Sequence, residues 1–229
     1  MEVKLIDKMG SDLSVVNAAR VSFNKESEWE SIPEHGETEG ILKVEDERLI
    51  NYLAKHKHWS PFAHCFMQFH IKAPIFVARQ LVKHQVGLVW NEVSRRYVDY
   101  EPEFYIPKEW RLRPDKSIKQ GSSEETVEYD IAGTMAYVKT TYNNLLREQV
   151  APEMARMVLP QNLYTEWYWS GTLYAFARVC QLRCAKDTQW ETQQIAAQII
   201  EFGHEHFPTS WEALNHYHKP PTSWEALNE

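Results

Sequence analysis

Cys65, Met67, Phe69 and Ile71 fall on one side of the segment at 64–71. A period of two is the mark of a strand with one buried face. Pro74 then suits the first turn of a helix, and residues 75–84 keep helical character. Upstream, residues 3–6 read as a short strand. Asp12 is expected to cap a helix carrying Val15, Val16, Ala19 and Arg20. Leu49, Ile50 and Leu53 give residues 45–56 a helical spacing, which the sequence through Pro61 ends. The polar, acidic stretch 24–40, with Pro33, Gly36 and Gly40, reads as a mobile loop.

Downstream of Gly87, Glu92, Ser94 and Arg96 alternate and are expected to point the same way from an extended chain. Residues 97–106 are aromatic and extended, and 107–119 form a basic loop. Ser122 and Glu125 are spaced as a capping box, predicting a long helix from there to about Arg147. A shorter helix follows Pro152, residues 163–169 are strand-like, and 172–183 and 189–206 read as helices.

An eight-residue segment, Pro-Thr-Ser-Trp-Glu-Ala-Leu-Asn, occurs at 208–215 and again, identically, at 221–228. Two copies do not make a solenoid. The expectation is one domain over 1–207 and a C-terminal tail, 208–229, carrying the duplication, with the second copy left out of the fold. The 229 residues are 43% hydrophobic and 25% charged, which excludes a disordered chain, a collagen and a coiled-coil rod. No apolar run approaches the roughly 20 residues of a membrane helix. Residues 1–8 have neither an apolar signal core nor an Arg-rich presequence, so a cytoplasmic location is expected. Three cysteines, Cys65, Cys180 and Cys184, do not suggest a disulfide scaffold.

The formal net charge of −7 argues against binding a nucleic acid polymer. Between Val77 and Tyr97, however, Arg79, Lys83, Arg95 and Arg96 face one acid, Glu92. A positive island in an acidic chain suits a small anionic ligand, although charged runs are also commonly solvent-facing.

Three arrays could carry chemistry. Gln80, Lys83 and His84 share a helix face and can grip an oxygen-rich ligand; an exposed polar face is the plain alternative. Glu92, Ser94 and Arg96 supply a carboxylate, a hydroxyl and a phosphate-matching guanidinium, against the alternative of a strand's polar outer face. Arg156 and Arg183 sit in apolar company, where a guanidinium needs an anionic ligand or an internal salt bridge. His56, His58, His64 and His70 are close in sequence, but no cysteine pair or His-Glu-x-x-His pattern accompanies them, so no metal site is assigned.

The run Ala78-Arg79-Gln80-x-x-Lys83-His84-Gln85, followed by Asn91-Glu92-Val93-Ser94-Arg95-Arg96-Tyr97, resembles the motif of flavin-dependent thymidylate synthases. Supporting stretches fall in the family's order over about residues 3 to 207. They are Arg20-Val21-Ser22, His56-x-His58-x-Ser60-Pro61-Phe62, Ala155-Arg156-x-x-Leu159-Pro160, Ser170-Gly171-Thr172, and Leu182-Arg183 with Gln189-x-Glu191. The family usually has Arg-His-Arg, seven residues, then Ser. Here the triplet is Lys83-His84-Gln85, and eight residues precede Ser94.

The resemblance implies an α/β (α+β) fold with a central, mostly antiparallel sheet and flanking helices, not a Rossmann fold. It implies methylation of dUMP at C5 to dTMP with 5,10-methylenetetrahydrofolate, FAD and NADPH, in a homotetramer with shared active sites. Carried over by resemblance, Arg183 is catalytic, stabilising the ionised uracil edge. Gln80, Lys83, Glu92, Ser94, Arg95, Arg96, Arg156 and Arg183 bind dUMP. His58, Ser60, Lys83, His84, Gln85, Glu92, Thr172 and Arg178 meet FAD. No cysteine is placed as a nucleophile, because nothing sets a thiolate beside a base. Two alternatives stay open: UMP or another uridylate as substrate, and a catalytically impaired flavin- and nucleotide-binding homologue.

Overall fold

In chain order the elements are β1 (Glu2–Met9), α1 (Asp12–Arg20), α2 (Val44–Lys55), β2 (Phe66–Pro74), α3 (Ile75–Leu81), β3 (Leu88–Glu92), β4 (Trp110–Arg111) and β5 (Thr126–Val127), then α4 (Ala132–Arg147), α5 (Pro152–Ala155), β6 (Tyr164–Thr172), α6 (Leu173–Arg183), α7 (Trp190–His206) and α8 (Pro208–Tyr217). They belong to a computed structural model that describes residues 1–31, 40–114 and 121–217. The expected loops at 24–40 and 107–119 lie partly outside the described residues, and the second repeat copy lies wholly outside them.

Four strands form an antiparallel sheet in the order β1-β2-β6-β3. The two central strands show the period of two that predicts burial of one face. β2 buries Met67, Phe69, Ile71 and Ala73, and β6 buries Thr165, Trp167, Trp169 and Gly171. Register places Phe69 opposite Trp169. Phe176 of α6 meets both rings edge-on, at 5.0 and 5.2 Å between centroids, which docks that helix on the sheet. α7 lies beside α6 and contributes Ile195, Ala196 and Ile199 to the same core. β1 is longer than expected and carries an irregularity between Leu5 and Asp7, and the cap of α1 is Ser11 rather than Asp12, which is the helix's first residue.

Three expectations change. First, the long helix starts at Ala132 rather than near Ser122. The backbone around Ser123 and Glu125 instead pairs with Leu112, closing the β4–β5 hairpin, and Asp130 Oδ1 accepts the Ala132 N–H at 2.8 Å. Second, α3 stops at Leu81, so Lys83 and His84 lie in the turn beyond it rather than on its face. Third, residues 208–217 form helix α8, which buries Trp211, Ala213 and Leu214 against the core, so the first repeat copy is integral to the fold. The Trp211 ring lies across Gly203 of α7, where a Cβ would come within 2.2 Å of it.

The fold thus positions two connections side by side. One runs from α3 through Gly87 into edge strand β3. The other runs from β6 into α6, whose far end turns into α7.

Candidate active site

Gly87 makes the bend between α3 and β3 at φ +77°, in the left-handed region that favours glycine. Its carbonyl accepts the Thr172 N–H at 3.1 Å, and an added Cβ would sit 3.2 Å from both Ala175 Cβ and Thr172 Oγ1. Thr172 is the N-cap of α6, accepting the Ala175 N–H at 3.1 Å. The bend therefore presses against the start of α6. A cavity of about 580 Å³ opens there, lined by Lys83, His84, Gln85, Thr172 and Arg178, with Trp59, Tyr174 and Leu182 among its apolar walls.

Arg183, at the last turn of α6, reaches α3 at one point and the turn beyond it at another. Its Nε donates to His84 Nε2 at 2.8 Å, and its Nη2 donates to the Gln80 carbonyl at 3.1 Å. Gln80 Nε2 in turn donates to Gln189 Oε1 at 2.6 Å. Accepting at Nε2 requires a neutral imidazole with its proton on Nδ1. Burial, reinforced by the charges of Arg183 and Arg178, lowers the His84 pKa from 6.5 to about 4, so that form is the one present at neutral pH. Partial burial also lowers the Arg183 pKa, which in a guanidinium leaves the charge intact.

The remaining predicted residues are dispersed. Glu92 ends β3 with its carboxylate already engaged: Oε1 accepts from Thr165 Oγ1 at 2.8 Å and Oε2 from Trp90 Nε1 at 3.2 Å. The expected shared face of Glu92, Ser94 and Arg96 is not formed. The strand stops at Glu92, and a turn closed by the Tyr97 N–H on the Ser94 carbonyl follows. Within it Arg96 Nε donates to Ser94 Oγ at 3.3 Å, and the guanidinium is exposed.

Arg95 turns inward, buried, with Nη1 donating to the Tyr100 carbonyl at 2.6 Å and its guanidinium over the Tyr100 ring. It braces a loop and does not face the cavity residues. Arg156 is exposed rather than buried, its Nε donating to the Glu153 carbonyl at 3.3 Å. His58 and Ser60 are exposed and flank the cavity wall residue Trp59. All three cysteines are buried; burial pushes the Cys184 thiol up to about 12 and raises Cys180 well above its usual range, so neither is a thiolate.

A second cavity of about 580 Å³ lies on the other side of Gln189, lined by Phe76, Tyr105, Trp110, Arg111 and Glu191. Arg111 Nη2 and Tyr105 Oη both donate to Glu191 Oε1, at 2.7 and 3.2 Å. None of the predicted site residues lines it; Gln189 and Glu191 do, and the sequence marks those two only as part of a motif, without a role. His84 and the Gln80 carbonyl are linked instead to Arg183. Trp59, Tyr174 and Leu182 carry no polar signal at all, and only the placement of α6 against Gly87 makes them walls.

A cation-and-amide cluster beside a half-open cavity at a sheet's edge suits a small molecule rather than a polymer. The family model described as thymidylate synthase complementing protein matches residues 4–209. Flavin-dependent thymidylate synthases of Thermus thermophilus and Thermotoga neapolitana are each 40% identical over 220 residues, covering 94% of this chain and 76% and 91% of theirs. A solved structure of a UMP/dUMP methylase, PolB of Streptomyces cacaoi, bound with 5-Br dUMP, superposes with a TM-score of 0.77 at 29% identity. It covers 96% of this chain and 97% of its own. This chain belongs to the flavin-dependent thymidylate synthase family.

Proposed function

We propose that the protein methylates dUMP at C5 to give dTMP, taking the carbon from 5,10-methylenetetrahydrofolate and electrons from NADPH. The observation that carries the reading is the seating of Arg183 against α3, beside a cavity that suits a flavin. The fit rests on that cavity: about 580 Å³ lies within the range of small-molecule sites, the left-handed Gly87 bend brings backbone close to its wall, and Lys83 and Arg178 supply cations for phosphates. Lys83, His84, Gln85, Thr172 and Arg178 would hold FAD, with His58 and Ser60 flanking and Glu92 between the two ligands. Bound flavin supplies the two-electron redox and carbon-transfer chemistry.

The chain's own contribution is orientation and charge. Uracil C5 is a poor nucleophile until negative charge develops on the ring. Arg183, fixed at Nε and Nη2, would meet that charge with its remaining donors, an electrostatic contribution of about 3–4 kcal/mol for one well-placed donor. Gln80 and Lys83 would hold the sugar and phosphate. Arg96 and Arg156 are exposed and make no ion pair with a carboxylate among the described residues. In this reading they, with Ser94, complete the phosphate end in a homotetramer whose sites are shared between subunits. Arg95 keeps its bracing role and reaches dUMP only indirectly. The enzyme is read as cytoplasmic, acting on a free nucleotide.

The test is release of tritium from C5-labelled dUMP. Arg183→Ala is expected to lose about 10²–10³-fold in turnover while retaining its flavin absorbance. Unchanged turnover would remove Arg183 from the reaction. The PolB likeness makes UMP the comparison substrate, and turnover of UMP in preference to dUMP would change the assigned substrate.

A further inference from the structure

The turn from α6 to α7 grips Gln80 at both ends. Its backbone carbonyl accepts from Arg183 Nη2 at 3.1 Å, and its side-chain amide donates to Gln189 Oε1 at 2.6 Å. Arg183 is the last residue of α6, and Gln189 is the N-cap of α7. The span between them is braced from within. Gln193, buried in the first turns of α7, donates through Nε2 to the Ala185 and Thr188 carbonyls at 3.2 and 2.8 Å, and Thr188 Oγ1 donates to the Leu182 carbonyl at 3.1 Å. The Gln189 carbonyl accepts from the Thr192 and Gln193 N–H groups, at 2.9 and 3.1 Å. Gln189 is therefore held by a stiff turn rather than by a free loop.

We infer that Gln189 is a positioning residue for dUMP binding: its Oε1 fixes the rotation of the Gln80 amide, and it does so without touching the nucleotide. An isolated glutamine amide on a helix face rotates freely and can present either its oxygen or its nitrogen. With one N–H committed to Gln189, the Gln80 amide is left with Oε1 and its second N–H in a set direction. Binding then costs less ordering of that side chain. The inference rests on the proposed dUMP reading, and on the acceptor at position 189 rather than on the size of the side chain there.

Two variants separate those features. Gln189→Leu keeps much of the volume and removes the acceptor. Gln189→Glu keeps an acceptor that cannot donate, so the Gln80 N–H still has its partner. Steady-state assays should show the KM for dUMP rising about 10-fold in Gln189→Leu with kcat within about 2-fold, and returning to within about 3-fold of wild type in Gln189→Glu. Flavin absorbance per chain should be the same in all three proteins. An unchanged KM in Gln189→Leu, or a Gln189→Glu variant as impaired as Gln189→Leu, overturns the inference. So does a fall in flavin content that tracks the KM, since that would mean a general loosening of the fold. Wild-type protein without dUMP-dependent tritium release would instead overturn the function on which this rests.

Discussion

At the scale of single residues, the contact that most constrains the site is the one between Arg183 and His84, because it requires an uncharged imidazole. Folding lowers the His84 pKa from 6.5 to about 4, mainly through burial. A depressed pKa in the folded state favours the neutral form, so this group's contribution to stability is complete above about pH 6.5. It is lost progressively as pH falls toward 4. Asp12 slopes the other way: burial raises its carboxyl pKa despite the hydrogen bonds it accepts, so acid relieves a cost there. The difference between wild type and His84→Gln isolates the histidine. Gln offers Arg183 an acceptor and does not titrate, so urea midpoints of the variant are expected to fall less between pH 6.5 and 4 than those of wild type. Parallel curves would show that His84 does not titrate against Arg183.

At the scale of elements, α8 shows how a helix can be legible as sequence and yet misplaced in the fold. Its Trp and Leu were visible, but their identical recurrence thirteen positions on made the first copy look like the start of a tail. What fixes it is tertiary: Asp12 at the start of α1 accepts the Thr209 and Ser210 N–H groups at 2.8 and 2.9 Å, capping a helix almost two hundred residues away. Asp12→Ala should lower stability by about 2 kcal/mol in urea unfolding, and a smaller loss than about 0.5 kcal/mol would mean water replaces the cap. Gly203→Ala should also destabilise, by about 1–3 kcal/mol, because the Cβ meets the Trp211 ring rather than a flexible chain end. A Gly203→Ala thermal midpoint equal to wild type would show that α8 can shift to make room.

The strands were readable for the opposite reason. β2 and β6 carry their burial pattern in every second residue, and that pattern is a local property. Where an element ends was less readable. α3 stops at Leu81 and β3 at Glu92 before short turns, closed by the His84 N–H on the Leu81 carbonyl and the Tyr97 N–H on the Ser94 carbonyl, that no apolar period marks. For the site this meant that residue identities along 80–96 were legible. Their supposed common faces were not, and Arg95 points inward to Tyr100 while its neighbour Arg96 faces out.

At the scale of the whole molecule, Arg183 shares no hydrogen-bond partner with the exposed Arg96 and Arg156, which bears on the proposed assembly. If each site draws Arg183 from one subunit and Arg156 from another, then Arg183→Ala and Arg156→Ala proteins, both inactive alone, should recover activity when mixed and allowed to exchange subunits. In a random equal mixture about a quarter of the sites carry both arginines. No recovery would mean that one chain supplies both. Occupancy of the site at the end of β3 should also be visible without any label. Trp90 stacks on Trp167 at 4.4 Å between ring centroids, and its indole N–H is held by Glu92. Two indoles this close couple their electronic transitions, giving paired circular dichroism bands of opposite sign. Whatever seats itself against Glu92 should tilt one indole against the other and change that couplet, so the protein carries its own optical gauge of occupancy, independent of flavin colour.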